Sequence, residues 1–111
     1  MSAVAKRLES IKAHGGVSGR EVAQLLETTP ETVSRWQQGR NSPQPNSLDR
    51  LLRLDWLAEQ LGTFYEPDEV RLWLFSPHPE LGGARPADLI ASGRIDAVLA
   101  VVDRLQSGAY V

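Results

Sequence analysis

Residues Ser18–Gly39, SGREVAQLLETTPETVSRWQQG, constrain this chain more than any other stretch. They spell two short helices with a brief turn between them. The first is expected from Arg20 to about Leu26 and the second from Pro30 to about Gln38. Ser18, followed three residues later by Glu21, forms a capping box in which hydroxyl and carboxylate each satisfy a backbone donor. Thr29 is a good N-cap for the second helix, because its hydroxyl accepts an orphan amide hydrogen bond. Pro30 sits at the first helical position, where its missing N–H costs nothing. Gly39 fits a left-handed C-terminal cap. Val22, Ala23 and Leu26, then Val33 and Trp36, give each helix one apolar face, and Ala23 is small where crossing helices approach closely. This is the layout of a helix-turn-helix, whose second helix can enter a DNA major groove.

The flanking sequence is also helical. Val4, Leu8 and Ile11 recur at i, i+4 and i+7 within residues 2–13, with Lys6, Arg7, Glu9 and Lys12 between them. That spacing is an amphipathic helix, ended by His14-Gly15-Gly16. After Gly39, Arg40–Asn46 is a loop by its Pro, Asn and Ser content. Asn46 or Ser47 is expected to cap a long helix reaching about Leu61. Its apolar positions Leu48, Leu51, Leu52, Leu54, Trp56, Leu57, Ala58 and Leu61 cover more than one stripe, so burial on two sides is expected, in the core or at a dimer interface.

Gly62 closes that helix. Pro67, flanked by Glu66, Asp68 and Glu69, opens another, with acids at the positive end of the helix dipole. Val70, Leu72, Trp73, Leu74 and Phe75 load it with apolar side chains. Residues 76–85, SPHPELGGAR, form a structured loop: the prolines hold it extended and the glycine pair permits positive φ. Pro86 starts a short helix to about Ala91, Ser92-Gly93-Arg94 is a turn, and residues 95–106 form the last helix with Ile95, Val98, Leu99, Val102 and Leu105 on one face. No segment alternates as a strand does, so the fold class is all-α.

Several functions are excluded or disfavoured. The chain has no cysteine, which removes disulfides and thiolate metal sites. His14 and His78 have no second ligand at a metal spacing, so no metal or cofactor is expected. A nucleophile, base and orienter do not assemble, so no catalytic residues are assigned and the chain is not expected to be an enzyme. The longest apolar run, Ala97–Val102, has six residues, far below the roughly 20 that span a bilayer. The N-terminal MSAVAKRLES lacks a signal peptide's apolar core. A soluble cytoplasmic protein of one domain, or one small domain with an appended module, is expected.

Charge divides the chain. Residues 1–55 hold eight Lys/Arg against six Asp/Glu, and residues 56–111 four against eight, a contrast that suggests two surfaces with different partners. On the second helix of the opening motif, Arg35 can donate two hydrogen bonds to a guanine edge. Thr29, Thr32 and the free amides at the helix start can hold a phosphate. Glu31, Ser34 and Gln38 also lie on this face, Ser18 at the start of the first helix is a further candidate DNA contact, and Arg40 and Asn41 follow the helix where they can touch the DNA backbone. Residues 18–45 carry three arginines (Arg20, Arg35, Arg40) against three glutamates (Glu21, Glu27, Glu31). Phosphate attraction supplies most baseline affinity, so a module this neutral is expected to bind weakly and to need dimerisation.

Residues 17–43 resemble the Xre/Cro-type phage repressor helix-turn-helix, through Val17, Ser18, Glu21, Ala23, Leu26, Thr29, Thr32, Val33, Ser34, Arg35 and Gly39. Glu27 stands where that family usually has a turn glycine. Residues 73–111 resemble the toxin-binding region of the Xre/MbcA/ParS antitoxin family, through Trp73-Leu74, Pro77, Leu81-Gly82-Gly83, Pro86, Leu89 and the ending Gly108-Ala109-Tyr110-Val111.

The resemblance implies an Xre/Cro-like helix-turn-helix bundle over residues 1–46, a linking helix and possible dimer interface over 47–66, and a toxin-binding domain over 67–111. It implies an antitoxin of a type II toxin–antitoxin pair, whose partner is a RES-domain toxin that consumes NAD or transfers ADP-ribose from it. The antitoxin's C-terminal end is expected to obstruct the NAD pocket, with Tyr110 as an anchor and the Val111 carboxylate pairing with arginines that hold the NAD phosphates. Pro77, Leu81, Gly82, Gly83, Arg85, Arg94, Gly108, Ala109, Tyr110 and Val111 are the expected toxin contacts. A homodimer within a toxin–antitoxin hetero-oligomer, bound to the operator DNA of its own operon, completes the expectation. The competing reading is an Xre-family transcriptional regulator with a C-terminal dimerisation domain and no toxin.

Overall fold

The computed structural model describes residues 2–108. Ala109, Tyr110 and Val111, to which part of the toxin contact is assigned above, lie outside the described residues. Among these residues there are seven α-helices and no strand: α1 (Ala3–Gly15), α2 (Gly19–Leu25), α3 (Pro30–Gln37), α4 (Pro45–Leu61), α5 (Pro67–Phe75), α6 (Pro86–Ala91) and α7 (Ile95–Gln106).

The helix ends follow the local chemistry. The Ser18–Glu21 capping box forms, with the Glu21 amide donating to Ser18 Oγ at 3.1 Å and the Ser18 amide donating to Glu21 Oε1 at 3.0 Å. Thr29 Oγ1 accepts from the Thr32 amide at 3.1 Å, and Pro30 begins α3. The turn between α2 and α3 places Glu27 at φ 54°, the only non-glycine residue with positive φ among those described.

Three expectations are corrected. α4 begins at Pro45 rather than behind Asn46 or Ser47: Gln44 is the N-cap and its side chain makes no capping bond. A proline at the first position fixes a helical φ and needs no donor partner, so the start is set without a side-chain cap. Nor does the chain's own core bury α4 on two sides. Leu51, Leu54, Leu57, Ala58 and Leu61 are buried, but Leu52 and Trp56, on the opposite face, are 40% and 43% exposed. On α7 the buried face takes in Val101 beside Val98 and Val102, and Leu105 is only partly covered.

One hydrophobic cluster runs from Leu8 and Ile11 through Val22, Trp36 and Leu54 to Val70, Ile90 and Val102. α1 helps to make this continuous, because it packs against α2 and α3 and also against α4 and α5. The helix-turn-helix and the following helices therefore share a core. The tightest seam lies where α1 ends. Gly16 has φ +61°, and a Cβ there would lie 2.8 Å from the Pro67 carbonyl carbon and closer still to its oxygen. Only glycine lets the start of α5 come this close.

A half-buried ion pair joins α1 to α4 at the edge of this core. Asp55 on α4 is 2% exposed, and its Oδ2 accepts from Arg7 on α1 at 2.8 Å, while Oδ1 has no protein partner.

Candidate functional site

The first surface is that of α3. Glu31, Ser34, Arg35 and Gln38 are exposed along it, Thr32 is half-buried, and Arg40 and Asn41 are exposed just beyond it. Val33 and Trp36 are buried beneath, so burial of the apolar face points the polar face outward. Arg20, Arg35 and Arg40 have no ion-pair partner among the described residues, and neither has Glu31. A groove beside them is lined by Lys12, Gly19, Arg20, Pro30, Ser34 and Gln38. The position of α3 is fixed from α1: Gln37 Nε2 donates to Glu9 Oε1 at 2.9 Å and to the Ala5 carbonyl at 3.4 Å, and Lys12 donates to Gln37 Oε1 at 3.4 Å. Thr32 and Arg35 lie one turn apart on α3, and Arg40 and Asn41 are exposed just past its end. Thr29 and Ser18 are exposed but use their hydroxyl oxygens as caps.

The second surface is the loop between α5 and α6 with the face of α5. His78 organises the loop. Its amide donates to the Ala84 carbonyl at 3.0 Å, its carbonyl accepts from Leu81 at 3.0 Å and Gly83 at 3.1 Å, and its Nδ1 accepts from the Glu80 amide at 3.2 Å. Its ring packs edge-on against Trp73 with centroids 5.4 Å apart. Gly82 and Gly83 take φ of 66° and 84°, and Pro79–Leu81 form a single 3₁₀ turn. Glu80 is tied to α7 by Arg104, Nη2 to Oε1 at 2.9 Å. Pro77, Leu81, Gly82 and Gly83 therefore stand on one preformed loop. Arg85 is committed to Asp88 by two hydrogen bonds of 2.9 and 2.7 Å; these hold the Asp88 carboxyl below its ordinary pKa. Arg94, by contrast, is exposed and has no ion-pair partner among the described residues.

An ion pair joins the two surfaces. Arg71 on α5 donates to both carboxylate oxygens of Glu21, with Nε to Oε1 at 3.3 Å, and stacks over Phe75 at 5.3 Å. The hydrogen bond from Arg71, aided by the Ser18 amide, holds the Glu21 carboxyl below its ordinary pKa against the opposing effect of burial.

Sequence reasoning missed the apolar face of α5. Leu72 is 66% exposed and Phe64 48%, and Tyr65, Glu69, Leu72, Trp73 and Ser76 line a shallow groove of about 340 Å³. The signal was the crowding of apolar residues at 70–75: the helix face that buries Val70 and Leu74, at i and i+4, turns Leu72 between them to the other side.

A helix-turn-helix whose exposed arginines have no ion-pair partner among the described residues, fused through one core to a helical module with its own ordered loop and apolar face, defines the class: an all-α helix-turn-helix protein with a second helical module. Residues 3–55 match the helix-turn-helix domain family, and residues 54–108 match the antitoxin Xre/MbcA/ParS C-terminal toxin-binding domain. The chain is 33% identical over 96 residues to the mycobacterial cidal antitoxin MbcA of Mycobacterium tuberculosis H37Rv and of Mycobacterium bovis, covering 86% of this chain and 85% of the relative. It is 32% identical over 96 residues to the probable mycobacterial cidal antitoxin Rv3188 of M. tuberculosis, covering 86% of this chain and 82% of that one. A chain of the crystal structure of the M. tuberculosis MbcT–MbcA toxin–antitoxin complex matches with a TM-score of 0.84 and 30% identity, over 100% of both chains. The chain belongs to the Xre/MbcA/ParS antitoxin family, and so to a family of antitoxins rather than enzymes.

Proposed function

We propose that this protein is the cytoplasmic antitoxin of a type II pair, that it binds and silences a RES-domain toxin acting on NAD, and that it represses its own operon through α3. The observation that carries the toxin-binding reading is the match of residues 54–108 to a toxin-binding domain. The preformed loop around His78 supports it, since an ordered contact loop loses little entropy on binding. Residues 67–111 hold the toxin, residues 1–46 meet DNA, and residues 47–66 link them. Gly108–Val111 obstructs the NAD pocket, a role for which the Tyr110 ring and hydroxyl are suited.

Dimerisation is needed because one helix-turn-helix reads a half-site. The outer face of α4 suits it: Leu52 and Trp56 are exposed there beside a mixed-sign pair, Arg53 with Asp49 at 3.2 Å. Such a surface can meet its own copy without net repulsion.

The test of the tail is a variant lacking residues 108–111. It should fold and still co-purify with the toxin but fail to protect NAD. Full protection by the truncated chain would overturn the plug. For DNA, the operon's own promoter should be bound at low salt, with affinity falling as salt rises; absence of binding at low salt would reduce α3 to a scaffold and remove autoregulation.

A further inference from the structure

We propose that the outer face of α5 is the toxin's principal docking patch outside the NAD pocket, and that it receives an apolar side chain ringed by basic residues. This rests on the toxin-binding reading above and deepens it by naming the surface.

Glu69, Leu72 and Trp73 fall at i, i+3 and i+4 on one side of α5, and with Tyr65 ahead of the helix and Ser76 at its extended C-cap they line a groove. Leu72 is 66% exposed, the most exposed large apolar residue among those described. Trp73, half-buried, is held by the His78 ring, so an aromatic anchor of the type that dominates interfaces is already fixed in place. At Ser76 the groove runs directly into the loop carrying Pro77 and Leu81–Gly83.

The charge around the patch selects the occupant. Asp68 lies one turn before Leu72 and Glu69 one turn before Trp73, with Glu66 just ahead. None of the three has an ion-pair partner among the described residues, and Arg71 is held by Glu21, Arg85 by Asp88 and Arg104 by Glu80. A two-fold contact sets the same patch against itself, which would bring these acids face to face; like charges opposed in this way reject a partner. A second copy of this chain is therefore the wrong occupant, and a protein with a basic rim is the right one. The α4 face, with its mixed charges, differs in this respect.

The experiment compares Leu72→Arg with Leu52→Arg in the full chain, using the RES-domain protein of the same operon as the probe. Dichroism checks folding, light scattering gives the mass of the free antitoxin, and titration gives toxin affinity. Leu72→Arg should weaken toxin binding by at least about 30-fold, the loss of one hot spot, with unchanged mass. Leu52→Arg should leave toxin affinity unchanged. Wild-type association should also slow as salt rises, because the acidic rim steers a basic partner. Unchanged toxin affinity in Leu72→Arg, or a halved mass in its place, would overturn the patch. A wild-type chain that does not bind the toxin at all overturns the parent reading, and the wild-type control distinguishes that failure from a misplaced patch.

Discussion

Replacing Gly16 by Ala probes the seam between the helix-turn-helix and the helices that follow it. Two costs combine there. The first is conformational: at φ +61° an L-residue loses about 1–2 kcal/mol relative to glycine, part of which is returned by a stiffer unfolded chain. The second is steric: the added methyl would press on the Pro67 carbonyl, which is backbone at the start of α5 and cannot rotate away. Forcing a methyl into a packed site costs about 1–3 kcal/mol. Gly39→Ala separates the two costs, because Gly39 has φ +74° and nothing within 4 Å of the added Cβ.

Gly39→Ala should therefore lose about 1 kcal/mol, and Gly16→Ala about 2–4 kcal/mol, out of a total stability of order 5–15 kcal/mol. Urea unfolding followed by far-UV dichroism and by tryptophan fluorescence reads both. Trp36 reports on the helix-turn-helix, and Trp56 and Trp73 on the rest. The two probes should coincide in wild type and in Gly16→Ala, since one core spans the chain. Equal losses in the two variants, within about 0.5 kcal/mol, would refute the seam. A Gly16→Ala transition that splits between probes would refute the shared core.

Other expectations follow from the same contacts. Removing Arg7 leaves the Asp55 carboxylate buried without its partner and should cost about 2–3 kcal/mol in urea unfolding, whereas Arg7→Met with Asp55→Leu should recover most of that loss. Glu27→Gly should stabilise by a few tenths to about 1 kcal/mol by relieving the positive φ, measured as a raised urea midpoint. The Glu21 carboxyl titrates lower in the folded chain than in the unfolded one, so its contribution is complete above the ordinary glutamate value of about 4.3 and drains away as pH falls toward the folded value. Arg71→Gln should flatten that part of the stability–pH profile. Arg35→Ala should cost about 1–3 kcal/mol at its operator position in a gel-shift titration, while its binding to unrelated DNA falls much less.

Much of the architecture was legible because it rests on local chemistry. Ser18 with Glu21, Thr29 with Pro30, and Pro67 and Pro86 each announce a helix start, and all four starts occur within a residue of expectation. The start of α4 was misread because Asn46 and Ser47 are good caps by type, yet Pro45 ahead of them begins the helix without one. Burial of the second side of α4 in the core failed for a different reason: a stripe of leucines does not say whether its second side meets the same chain, and Leu52 and Trp56 stay 40% and 43% exposed. The polar face of α3 could be read because Val33 and Trp36 fix its rotation. The α5 face, the His78-centred loop and the Arg71–Glu21 tie depend on tertiary placement, with Glu21 and Arg71 fifty positions apart.

NAD measured in growing cells shows whether this chain neutralises a toxin. Expressing the RES-domain protein of the same operon alone should stop growth and deplete NAD, and adding this chain should restore both. Unchanged NAD with the RES-domain protein alone, or continued depletion in the presence of the folded full-length chain, would contradict the account.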